Sequence, residues 1–116
     1  MLITNKRLVR PNAPLESKEW HEAALYILGA VHGFCNAFPG KSFSVRSLVG
    51  GGNADWSGTP IQKIYESHCR TLVPEQAADR AAEDMGRLLK AVLQGDKYTY
   101  EEEKESARTC WYRRIE

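Results

Sequence analysis

Three histidines, three cysteines and a few carboxylates are the side chains able to do chemistry, and their spacing limits what they can do. His21 and His32 fall three helical turns apart on one face, too distant to share a metal ion. No HxxxH or HExxH pattern supplies a second ligand beside either. His68 and Cys69 are neighbours, and adjacent residues on a helix point about 100° apart, so they cannot serve each other as base and nucleophile. Cys35, Cys69 and Cys110 contain no CxxC pair, which argues against a zinc knuckle or a thioredoxin-like site and for free thiols in a reducing compartment. Glu101, Glu102 and Glu103 are consecutive carboxylates, and an acid/base pair would need one of them desolvated. Solvated charge is the simpler reading. The expectation is a protein without enzymatic activity, metal or cofactor.

A ligand loop is the remaining chemical option. Gly50-Gly51-Gly52 precedes a capped helix, as a phosphate cradle does, but the lysine and hydroxyl residue that complete a nucleotide loop are missing. Asn53, Asp55 and Trp56 in that loop offer stacking and hydrogen bonds to a small ligand such as a nucleotide. The simpler reading is a flexible connector with Trp56 as a hydrophobic plug beneath it.

The elements that must position these residues are set by composition and period. At 116 residues, 42% hydrophobic and 27% charged, the chain predicts one globular domain with its own core. Sixteen basic against fifteen acidic residues give a net charge of +1, too balanced for a protein that coats nucleic acid nonspecifically. No stretch approaches the roughly 18 apolar residues of a membrane span. No amino-terminal signal pattern is present, so a cytoplasmic setting is expected.

Residues 1–16, broken by Pro11 and Pro14, read as an extended basic arm whose Leu2, Ile3, Leu8 and Val9 can pair as an edge strand or dock on the core. Residues 17–116 form the globular domain. Ser17 is expected to cap a helix running to Phe38, with Trp20, Ala23, Ala24, Ile27, Val31, Phe34, Cys35 and Phe38 as its main stripe. His21, Leu25, Leu28 and His32 make a second stripe, more apolar surface than one contact needs. Phe43 to Val49 reads as a short strand entering a helical turn. Thr59-Pro60-Ile61-Gln62 is a helix start with threonine as cap. Pro74 to Gln94 is the helix around which the chain is organised, with Ala78, Ala81, Ala82, Met85, Leu88, Leu89 and Val92 on one side. Two segments, 97–101 and 108–115, are rich in aromatic and β-branched residues and predict a two-stranded hairpin. Which face of its second strand turns inward, Trp111 and Ile115 or Cys110 and Tyr112, is open at this level.

This order of elements, an α+β class with mostly helix and a carboxy-terminal hairpin, resembles the winged-helix family of helix-turn-helix domains. The segments 43–50, 56–64 and 86–93 are also similar to small phage or prophage accessory proteins. The first resemblance implies a DNA reader with the last helix in the major groove and the hairpin as wing. Lys6, Arg7, Arg10, Arg46, Lys63, Arg87 and Lys90 are then the phosphate contacts. The charges oppose it: Glu101 to Glu105 hold four glutamates and one lysine, net −3, and the long helix sets Arg80, Arg87 and Lys90 against Glu75, Asp79, Glu83 and Asp84, net −1. The leading expectation is therefore a protein–protein interaction module of the phage inhibitor kind. It would block a host nucleic-acid-targeting defence complex by placing Glu101, Glu102, Glu103 and Glu105 in a basic site. His21, Leu25, Leu28 and His32 would serve as partner contacts, or Leu25 and Leu28 as a homodimer face.

Overall fold

The computed structural model describes residues 1–50, 55–103 and 109–116. In chain order the elements are β1 (Leu2–Ile3), α1 (Ser17–Ala37), α2 (Val45–Val49), α3 (Gln62–Cys69), α4 (Pro74–Gly95), β2 (Tyr100–Glu102) and β3 (Tyr112–Arg114). The class is α+β. No helix among the described residues is long and apolar enough to cross a membrane.

Helix α4 is the axis. Pro74 occupies its first turn, where a missing N–H costs no bond, and Ala77, Ala81, Met85, Leu88, Leu89 and Leu93 are buried. Helices α3, α1 and α2 and strand β1 all pack on it. Each large apolar side chain taken from water here stabilises by about 1.5–3 kcal/mol before the entropy of ordering is counted. Helix α1 buries Ala23, Ile27, Val31 and Cys35, and leaves Trp20, Ala24 and Phe34 half-covered. Phe38, expected on that stripe, is exposed, because the helix ends at Ala37 and Phe38 takes a non-helical cap conformation.

The sheet has the order β1-β2-β3. Strand β1 lies parallel to β2, with Leu2 opposite Tyr100, and β2 is antiparallel to β3, with Tyr100 opposite Arg114. The hairpin strands are shorter than their composition suggests. Tyr112 is the inward residue of the last strand, and Ile115 is exposed. Phe43 adds a single bridge to Tyr112 and stacks its ring near Phe34, Tyr100 and Tyr112 at 5.7, 6.2 and 6.0 Å between centroids. Such aromatic pairs add about 0.5–1.5 kcal/mol each beyond their area.

Two helix starts differ from expectation. Glu16, one residue earlier than Ser17, caps α1, and its amide donates to the Glu19 carboxylate at 3.1 Å. Thr59 does not cap α3. Its hydroxyl donates to the Trp56 carbonyl at 2.7 Å in a turn containing Gly58 at φ +79°, so the helix begins only at Gln62.

Candidate functional site

Small residues one turn apart on α4 leave room beside it. Ala82 and Gly86 border a groove of about 490 Å³, and a Cβ built on Gly86 would meet nothing within 4 Å. The floor is apolar: Leu89 from α4, Tyr112 from β3 and Val45 from α2, with Val9 of the amino-terminal segment on the wall. Arg7, Arg46, Arg87 and Lys90 open on the same space. Four of the seven cations read from the sequence as phosphate contacts are thus gathered on one cavity, although they come from three separate segments. Lys6, Arg10 and Lys63 are not among its lining. Lys63 pairs instead with Glu19 at 3.3 Å and Lys6 with Glu102 at 3.6 Å.

The four cations are not equivalent. Arg87 donates to Glu83 at 2.7 Å, one helical turn back. Lys90 lies 3.3 Å from the Glu102 carboxylate, which also accepts from the Thr4 hydroxyl. Burial works against charge on Glu102, but Thr4 and Lys90 together hold its carboxyl below the usual glutamate range. Among the described residues no hydrogen bond or ion pair engages the Arg7 or Arg46 side chains, and both residues are exposed. Those two guanidiniums supply the available positive charge.

The wall carrying Arg7 and Val9 is a strap fixed at both ends. At one end β1 joins the sheet, and the Met1 ammonium donates to the Asp96 and Tyr98 carbonyls at 2.8 and 2.6 Å. At the other, the amides of Asn12 and Ala13 donate to the two oxygens of Asp84 at 2.8 and 3.0 Å, and His68 Nε2 lies 2.7 Å from the same carboxylate. Asp84 is 1% exposed. By sequence it counts with the charges of the long helix. The signal was present, since Asp84 follows Ala81 by three and precedes Leu88 by four, which sets it on the apolar stripe.

The other singled-out residues are dispersed. Glu101 pairs with Arg113, and Glu103 accepts from Ser42 at 2.7 Å with Arg113 also at 3.3 Å. With Glu102 engaged as above, the glutamates at 101–103 do not form a free acidic tip; Glu105 lies outside the described residues. His32 contacts Asp96 at 2.8 Å and sets its edge on Tyr98. It therefore ties α1 to the corner between α4 and β2 and is not a free partner contact. Leu28 is half-buried, whereas His21 and Leu25 are exposed. Trp56 is the plug: buried, with Nε1 donating to the Val49 carbonyl at 3.0 Å and its ring edge-on to Tyr65. Asp55 is exposed and accepts from the Ser57 amide at 2.9 Å; the Ser57 hydroxyl and amide lower its carboxyl. Asn53 lies outside the described residues.

No protein-family model matches this chain, nor does any curated protein or solved structure.

Proposed function

We propose that this chain is a non-enzymatic protein–protein interaction module that holds an acidic, partly apolar segment of a partner protein in the groove beside α4. The observation that carries this reading is the pairing of two arginines with no side-chain partner among the described residues, Arg7 and Arg46, with a floor of Val45, Leu89 and Tyr112. Charged rims steer and orient a partner, while apolar contacts at the floor supply affinity. The His68–Asp84 pair resembles half of a catalytic arrangement. Both Asp84 oxygens already accept backbone amides, so a structural role suits it better. Inhibition through an acidic hairpin tip finds little support in Glu101, Glu102 and Glu103, whose charges are offset by Arg113, Lys90 and Lys6.

A second reading, nucleic-acid binding by a winged-helix-like domain, is favoured by the convergence of Arg7, Arg46, Arg87 and Lys90. It is weakened by Glu83 and Glu102, which engage two of them. Two cations without a partner among the described residues correspond to a slope of only about −2 in the logarithm of the association constant against that of salt, far shallower than duplex readers show.

Selection from a displayed peptide library separates the two. Peptides that mix Asp or Glu with apolar residues should be enriched, and Arg46→Glu should weaken them by about tenfold or more with no change in melting temperature, because Arg46 is exposed. Enrichment without acidic residues, or indifference to the charge reversal, would refute the groove. Duplex DNA bound with a salt slope steeper than about −4 would favour the second reading.

A further inference from the structure

Resting on the groove reading above, we infer that the acidic feature it takes is a phosphorylated side chain of the partner protein, gripped between Arg7 and Arg46. The two arginines line the cavity from different segments, the strap and α2, and neither has a side-chain partner among the described residues. A carboxylate carries one negative charge against two guanidiniums, so one positive charge is left unmatched. A phosphoryl group carries about −1.5 to −2 charge and three terminal oxygens, so it accepts from both forks at once. Arg87 and Lys90 add to the local positive field although Glu83 and Glu102 already engage them.

Two further features fit a side chain on a peptide better than a free ion. The cavity, about 490 Å³, exceeds what a phosphoryl group fills, and its remaining surface at Val45 and Leu89 is apolar. A neighbouring apolar residue of the partner can occupy that surface. The strap is also held in advance. Because β1 fixes one side of Arg7 and Asp84 fixes Asn12 and Ala13 on the other, less ordering remains when the ligand binds.

The test uses the full chain and one short peptide of alanine and leucine in three versions, with phosphoserine, glutamate or serine at its centre. Inorganic phosphate and AMP are the remaining probes. Binding is followed by amide chemical shifts in the wild type, Arg7→Gln and Arg46→Gln. Phosphoserine peptide should bind about tenfold or more tightly than the glutamate version, and either arginine variant should lose most of that advantage. Inorganic phosphate should perturb the same amides at higher concentration. Equal binding of glutamate and phosphoserine, lost in both variants, overturns the phosphoryl assignment and leaves the acidic-segment reading standing. Absence of any peptide binding at about 1 mM overturns both. Phosphopeptide binding that ignores both substitutions places the anion elsewhere, and AMP binding more tightly than the peptide refutes a protein side chain as the source.

Discussion

Helix α4 makes the same contact twice, a histidine against an aspartate, in two different surroundings. In the middle of the helix, Asp84 faces His68 from α3; just past its end, Asp96 faces His32 from α1. The distances are 2.7 and 2.8 Å, so the contacts themselves do not distinguish the sites. Their other partners do. Asp84 has both oxygens filled by the amides of Asn12 and Ala13 and sits at 1% exposure, so it joins the strap, α3 and α4 at one point. Asp96, its side chain 6% exposed, accepts from the Tyr100 hydroxyl at 2.6 Å and the Lys97 amide at 2.9 Å, beside a histidine side chain 30% exposed against 13% for His68. A group with no access to water depends wholly on its protein partners, whereas one near the surface has a substitute when a partner is lost.

Asp84→Ala should have the largest effect. It leaves two amides and an imidazole unsatisfied, and the expected loss is about 3–5 kcal/mol by urea unfolding. Faster amide exchange at Asn12 and Ala13 should accompany it. A loss under about 1 kcal/mol would mean that the strap is not held there.

His32→Ala should cost less, about 1–2 kcal/mol, because water can replace the imidazole. The Asp96 site also predicts a pH dependence. Burial alone would raise the Asp96 carboxyl, but hydrogen bonds from Tyr100, His32 and Lys97 override it and hold the group below its ordinary range. A carboxyl lowered in the folded state contributes stability that is complete above the unfolded value near pH 4 and is lost as pH falls through the folded one. Asp96→Asn should therefore flatten the acid limb of the stability curve below about pH 4, and an unchanged limb would refute the assignment.

The smallest effect belongs to Glu83→Ala, which removes an exposed one-turn ion pair with Arg87 and should change stability by less than about 0.5 kcal/mol. It should nevertheless strengthen binding of an acidic peptide by freeing Arg87, and unchanged affinity would exclude Arg87 from the groove's field.

Local patterns carried much of the fold. The period of Ala81, Met85, Leu88 and Leu89 places α4, and the tyrosines at 98, 100 and 112 mark the hairpin, because each signal lies within one element. The strap was less legible. Pro11 and Pro14 remove regular structure, and nothing near Leu2 and Ile3 announces a parallel partner at Tyr100 and Glu101. The groove was legible only in pieces. Arg7, Arg46, Arg87 and Lys90 are each visible, but their meeting depends on tertiary packing, and so does the capture of Glu101, Glu102 and Glu103 by partners from other segments.

The parallel pairing of β1 with β2 has a consequence for how the molecule is made. Leu2 is synthesised before helices α1 to α4, and its neighbour Tyr100 only after them. Until then the first segment has no edge to join, and closing so large a loop is intrinsically slow. The helices can assemble first, and the cavity that needs Arg7 and Val9 on its wall is completed last.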